Sequence, residues 1–239
     1  MDTIILGDGA LGRAIGAALN ERGDPAMSIG RPIDGWHEAR LFEHADLVFD
    51  ASRGEAVRAN IEAALGGGVD RFVIATTGWE QNRDGVAEML RERGAAAVVA
   101  PNLSLGAAVF LRLVDRAAAL VGRARSFDPY VLEWHRRSKR DRPSGTAREI
   151  ARRMGIGLGR EPDVAVIRAG ASPGMHLVGF DAPGETIELR LTARDRSAYA
   201  AGALAAADWL MAGARPAGIH PFDEVVDELL AEPVLAATA

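Results

Sequence analysis

The sequence predicts an α/β protein: a Rossmann-type, doubly wound parallel sheet joined to a second α+β domain that carries an open mixed or antiparallel sheet. Three observations predict it. The chain opens with an apolar strand running into Gly7-x-Gly9-x-x-Gly12 and then into a stretch with helical periodicity. Near-continuous apolar runs then alternate with helical segments as far as residue 102, the pattern of parallel strands covered on both faces. Beyond a long helix the alternation gives way to closely spaced strands, two of them joined across Pro183-Gly184. The expected division is 1–104 with 197–239 in one domain, and 105–196 in the other.

The first strand covers residues 3–6. In the turn after it, glycines let the chain reverse tightly and let its backbone approach a pyrophosphate seated on the next helix's N-terminus. Gly7, Gly9, Leu11 and Gly12 are therefore candidate cofactor contacts. The second strand, 26–30, ends in Gly30-Arg31-Pro32, where many NAD-binding chains place an acid for the adenosine ribose. Arg31 could instead pair with a 2′-phosphate, which favours NADPH over NADH. Strands at 45–52, 71–77 and 95–102 alternate with helices at 54–65 and near 84–93. Ligands of such sheets bind at the carboxyl ends of the strands, which brings Ser52-Arg53, Thr76-Thr77-Gly78 and Ala100-Pro101-Asn102 to the mouth of one crevice.

An amphipathic helix over 105–121 leads into the second domain. Residues 130–136, Y-V-L-E-W-H-R, are rich in β-branched and aromatic types and read as a strand, with Glu133 and His135 on one face and Leu132 and Trp134 on the other. A carboxylate beside an imidazole can orient it and raise its pKa. Further strands follow at 164–170, 175–182 and 186–194. An alanine-rich helix at 197–212 and another from Phe222 complete the chain.

The segment from Glu133 to Thr146, E-W-H-R-R-S-K-R-D-R-P-S-G-T, holds the chain's chemistry. Of 28 lysines and arginines in the protein, 27 are arginine and the only lysine is Lys139. Lysine is a compact cation that can give up a proton, which guanidinium does not do in practice. His135 is the side-chain type that titrates near neutrality. Pro143-Ser144-Gly145 turns into a helix, with Thr146-x-x-Glu149 expected as a capping box. The N-terminus of that helix would offer free N–H groups to a carboxylate or phosphate.

Bulk properties narrow the function classes. A net charge of −5 and a pI near 5.6 argue against nucleic-acid or acidic-membrane partners. The absence of cysteine excludes disulfides and thiolate metal sites, and no metal is expected. No apolar run reaches transmembrane length, since the 103–122 stretch is broken by Arg112, Asp115 and Arg116, and with no signal peptide the expected location is cytoplasmic.

These motifs together resemble the 4-hydroxy-tetrahydrodipicolinate reductase (dihydrodipicolinate reductase) family, whose pattern reads E-x-H-H-x-x-K-x-D-x-P-S-G-T-A. Glu133, His135, Lys139, Asp141, Pro143, Ser144, Gly145, Thr146 and Ala147 match it. The glycine turn with Arg13, T-T-G at 76–78, A-P-N-x-S-L-G at 100–106, R-A-G at 168–170 and G-E with I-E-L at 184–189 extend the similarity over nearly the whole chain. The resemblance implies hydride delivery from NADPH or NADH to an unsaturated cyclic imine dicarboxylate in the diaminopimelate route to lysine. His135 would donate the proton, with Lys139 stabilising the developing charge or donating beside it. Ser144, Gly145 and Thr146 would hold a substrate carboxylate. Gly9, Gly12 and Arg13 would lie at the cofactor phosphates, Gly78 and Asn102 near the nicotinamide, and the second domain would bind substrate and assemble a homotetramer.

Two positions depart from the pattern. Arg136 replaces a second histidine that contacts substrate, and G-E-H reads Gly174-Met175-His176. Arginine can still meet a carboxylate in a bidentate pair. A paralogue acting on another cyclic imine is thus one alternative, and a non-catalytic dinucleotide sensor another. Lys139 together with His135 and P-S-G-T argues against the sensor.

Overall fold

A computed structural model of the protein describes residues 2–31, 37–124 and 126–231. The chain divides into two compact units, Met1–Leu105 with Arg196–Ala239, and Gly106–Asp195. The first unit alternates β1 (Thr3–Leu6), α1 (Ala10–Arg22), β2 (Ala26–Ile29), β3 (Leu47–Asp50), α2 (Val57–Gly66), β4 (Arg71–Ile74), α3 (Arg83–Glu92) and β5 (Ala96–Val99). Every residue of β1, β3 and β5 is buried, as expected of parallel strands with helices on both faces. The four strands after β1 end sooner than their apolar runs predict, because polar residues such as Ser52, Thr76 and Asn102 turn into loops rather than extending the ladder.

After α4 (Leu105–Val121) come β6 (Asp128–His135), α5 (Gly145–Leu158), β7 (Asp163–Arg168), β8 (Met175–Ala182) and β9 (Glu185–Thr192). The chain then returns through α6 (Ser197–Met211), β10 (Gly218–Pro221) and α7 (Phe222–Leu230). β10 is not foreseen in the sequence. It is four residues long, ends in proline and has none of the alternation that marks a strand. It pairs in parallel with β5 and completes a six-stranded sheet of order β10-β5-β4-β3-β1-β2. At this edge position its terminal proline forfeits no ladder bond. The order reverses between β1 and β3, and that switch point is where the strand ends leave a crevice. α6 packs on α1, β4 and β5 through small buried side chains, Ala200, Ala203, Ala206 and Ala207, and Asp208 pairs with Arg22 at 2.7 Å.

The second unit is a four-stranded sheet of order β7-β6-β8-β9, in which β6 and β7 are parallel and the other two pairings antiparallel. Its core joins Phe110 and Val114 of α4 and Ile150 and Met154 of α5 to Val131, Val178 and Phe180 of the sheet. Strand parity places Glu133 and His176 on this covered face, directly across from each other. The opposite face carries Tyr130, Leu132, Trp134 and Ile167, the last two exposed. There the Tyr130 ring lies over Gly179 and its hydroxyl donates to Glu188 at 2.9 Å.

The capping box expected at Thr146-x-x-Glu149 does not form. The N-cap of α5 is Ser144, whose hydroxyl accepts the Ala147 N–H at 3.2 Å. Glu149 lies a full turn further on and pairs with Arg152 and Arg153, which hold its carboxyl down at about 2. Proline at 143 fixes the entry to the helix, so the first side chain able to reach the N3 amide is that of Ser144.

Candidate active site

Two places converge chemically useful groups, one in each unit. In the first, a crevice of about 340 Å³ opens at the switch point. Gly9, Ala10 and Leu11 line it from the glycine turn, Ala51 and Ser52 from the end of β3, Ala75, Thr76 and Thr77 from β4, and 100–103 from β5, with Arg196 and Tyr199. Of the residues predicted from sequence, Gly9, Leu11, Ser52, Thr76, Thr77, Ala100, Pro101 and Asn102 line it. Gly7, Gly12, Arg13, Arg31, Arg53 and Gly78 do not.

The glycines explain the turn. A Cβ on Gly12 would fall 2.0 Å from the Gly7 carbonyl oxygen, whereas one on Gly9 would meet nothing within 4 Å. Close helix packing and an open side for a ligand are thus divided between them, which fits a dinucleotide pyrophosphate. Arg13 donates to the Asp8 carbonyl and stiffens the turn. Arg31 and Arg53 are exposed, and Arg53 lies 4.0 Å from Glu55. Pro32 falls outside the described residues.

Asp50, fully buried at the end of β3, locks the crevice floor. It accepts from Ser52 (2.7 Å), Thr76 (2.5 Å) and Asn60 (2.8 Å), joining the loops after β3 and β4 to α2. Burial of a carboxylate is tolerated only with such donors. Asp50 is not among the residues expected at the site, although an acid ending an apolar strand is a signal that it must be satisfied by its neighbours.

In the second unit, β6 carries Glu133 and His135, β8 carries His176, β7 ends in Arg168, and α5 begins beside them. Glu133 is fully buried in an ion pair with an equally buried Arg168 side chain, and also accepts from the amide (2.8 Å) and hydroxyl of Ser144. Burial opposes its ionisation, but the Ser144 donors and Arg168 prevail and hold its pKa below the ordinary value. Ser144 is therefore engaged as N-cap and as donor to Glu133, and its Oγ is 3.3 Å from His176 Nε2. The helix still presents its first two amides, at Gly145 and Thr146, which no intrahelical carbonyl can reach.

His135 Nδ1 lies 3.2 Å from the Pro173 carbonyl, and its Nε2 is buried without a partner. Sequence proximity suggests that Glu133 would raise the His135 pKa, but the net direction is down. Burial dominates, the pull of Glu133 opposes it, and Lys139 and Arg168 add to the depression. Lys139 forms an ion pair with Asp141 at 2.9 Å, and this hydrogen bond holds the Asp141 carboxyl below its usual range. Arg168 also donates to the Asp141 carbonyl at 2.6 Å, tying the Lys139 loop to the sheet. Arg136 is exposed and donates to the Ser138 hydroxyl at 3.2 Å.

In the sequence His176 marks only a departure from the family pattern, yet it stacks edge-on to His135 with ring centroids 5.3 Å apart. Its parity with Val178 and Phe180 on the covered face was the available signal. Glu133, His135 and His176 each bring one ligand-type atom within 4.8 Å of the others. The guanidinium of Arg168 already meets the Glu133 carboxylate, which favours a hydrogen-bond network over a cation site.

Comparison with known proteins gives the family. The family described as dihydrodipicolinate reductase, C-terminus, matches residues 106–226. The chain belongs to that family. Curated relatives named 4-hydroxy-tetrahydrodipicolinate reductase agree: that of Archaeoglobus fulgidus is 34% identical over 77% of this chain and 76% of its own. That of Methanococcoides burtonii is 32% identical over 76% and 73%. A solved dipicolinate-bound dihydrodipicolinate reductase from Paenisporosarcina sp. TG-14 shares the fold with a TM-score of 0.70 at 16% identity, covering 92% of this chain and 97% of that one. Among the described residues, no helix is long and apolar enough to cross a membrane.

Two expected results follow from the family member's geometry. A Cβ at Gly174 would lie 2.7 Å from His135 Cε1 and 3.1 Å from Nδ1. Gly174→Ala should displace the imidazole and lower turnover by up to about 10²-fold, the scale of an ångström's misplacement. Dinucleotide binding, measured by fluorescence titration, should be unchanged, and full turnover would show that the ring position is immaterial. Burial also lowers the His176 pKa to about 4, with His135 adding to it. The unfolded chain therefore binds this proton first, so stability is complete above the ordinary histidine value of 6.5 and falls as pH drops toward 4, by on the order of 3 kcal/mol. Urea midpoints between pH 7 and 4.5, above the carboxylate range, should show this slope, and His176→Gln should flatten it.

Proposed function

We propose that this protein reduces 4-hydroxy-tetrahydrodipicolinate to tetrahydrodipicolinate in the diaminopimelate route to lysine, using a reduced nicotinamide. The carrying observation is the meeting of an imidazole, an ammonium and the open start of a helix around the buried Glu133–Arg168 pair. A reduced nicotinamide dinucleotide, its pyrophosphate seated by the glycine turn, would supply hydride. After loss of water from the hydroxyl-bearing carbon, hydride and one proton add across a ring double bond.

The chain's own residues account for the rest. The Gly145 and Thr146 amides, at the positive end of α5, suit a ring carboxylate, and Arg136 suits the other. With Nδ1 donating to the Pro173 carbonyl, His135 Nε2, which has no hydrogen-bond partner among the described residues, is the atom that would take up a proton and pass it to substrate. Its depressed pKa leaves it neutral before substrate binds, and the arriving dianion would raise it. Lys139 would place its ammonium beside the developing charge. Arg31 supports NADPH as the preferred form. The apolar face bearing Leu132, Trp134 and Ile167 supports self-association as a homotetramer, and the cytoplasm is the proposed location.

The test is oxidation of NADPH or NADH, followed by absorbance, on substrate generated in place from pyruvate and aspartate semialdehyde by the preceding synthase. Synthase-dependent oxidation is expected. Cofactor binding without oxidation would overturn the substrate assignment and leave the second reading, another cyclic imine, which Arg136 favours.

A further inference from the structure

The end of β2 lacks the acid that commonly holds the adenosine ribose, yet a carboxylate stands there. It comes from the neighbouring turn. The Gly7 amide donates to the Ile29 carbonyl at 2.8 Å, pinning the start of the glycine turn to the last residue of β2. The next residue of the turn, Asp8, is exposed, and its side chain lies over Gly30. A Cβ built on Gly30 would be 3.6 Å from Asp8 Oδ2 and 3.8 Å from Cγ. Arg13 grips the Asp8 carbonyl, so the backbone from which this carboxylate projects is held. The Asp8 carboxyl group thus stands at van der Waals distance from the strand end.

We propose that Asp8 is a specificity-determining residue for the adenosine ribose, accepting the 2′ and 3′ hydroxyls of NADH and disfavouring the 2′-phosphate of NADPH. The inference rests on the nicotinamide reading of the crevice and deepens it. A carboxylate has acceptor sites for two vicinal hydroxyls and none that a phosphate dianion can use. Asp8 and Arg31 then act in opposite directions: the arginine attracts a 2′-phosphate and the aspartate repels it. Their balance makes the chain able to take both cofactors, and removing either charge should tip it.

Direct binding tests this without turnover. Dissociation constants for NADH and NADPH are measured by nucleotide fluorescence on the wild-type protein, on Asp8→Asn and on Arg31→Gln. Asp8→Asn should shift the NADPH-to-NADH affinity ratio toward NADPH by about tenfold or more, the scale of a removed like-charge contact. Arg31→Gln should shift it the other way. An unchanged ratio in Asp8→Asn, or equal weakening of both cofactors, would overturn the proposal and leave Asp8 a turn-forming residue. Failure of the wild-type chain to bind either nucleotide would instead overturn the nicotinamide reading beneath it.

Discussion

Lys139→Ala should cut turnover by about 10²–10⁴-fold, the usual contribution of a positioned acid or base, while leaving nucleotide affinity at its wild-type value. Nucleotide binding is expected in the crevice of the first unit, whereas Lys139 sits on the loop after β6, held by Asp141 at 2.9 Å. Lys139→Arg should recover little. Guanidinium retains the charge but is broader, meets Asp141 with different geometry and gives up no proton. The two variants thus separate a requirement for charge from one for an ammonium. Single-turnover reduction with saturating nucleotide reads the loss directly, and a Lys139→Ala enzyme of normal activity would exclude the lysine from the reaction.

Glu133→Gln should lower stability by about 3–5 kcal/mol, because removing one partner strands the other charge in the interior. Both side chains of the Glu133–Arg168 pair are fully buried. On a chain of this size the melting temperature should fall by on the order of 10 °C. Activity should fall as well, since Glu133 also holds the Ser144 amide and hydroxyl at the start of α5. The double variant Glu133→Leu with Arg168→Met separates these effects. An apolar pair of similar volume should restore stability, as replacing a buried ion pair commonly does, but not turnover. A single variant of wild-type stability would mean that the pair is not desolvated in solution.

The glycine turn, the strands that follow and the E-x-H…K…P-S-G-T segment were legible because each rests on local chemistry. Gly12 must be glycine for its helix to approach the Gly7 carbonyl, and that requirement is written in five residues of spacing. The 105–121 helix agrees with α4 to the residue because its apolar face repeats over 17 positions. β10 was not legible, since four residues ending in proline become a strand only because β5 has an open edge. T-x-x-E fits a local rule and points to Thr146 as the cap of α5, whereas Ser144 is held by Glu133, 11 residues earlier on β6.

The sequence by itself determined the α/β class, the dinucleotide turn and the presence of a histidine and the single lysine on one short segment. Short-range constraints suffice for these, because a turn, a strand parity or a helix start involves residues only a few positions apart. The tertiary structure alone decided that Arg168 neutralises Glu133, that His176 stands against His135 and that burial, not the nearby carboxylate, sets the direction of the His135 pKa. It also decided that Asp8, from one turn, supplies the carboxylate at the end of a strand it does not belong to. Desolvation and charge pairing depend on which chain segments meet in space, and around His135 those meetings span up to 43 positions, as between Glu133 and His176 across β6 and β8.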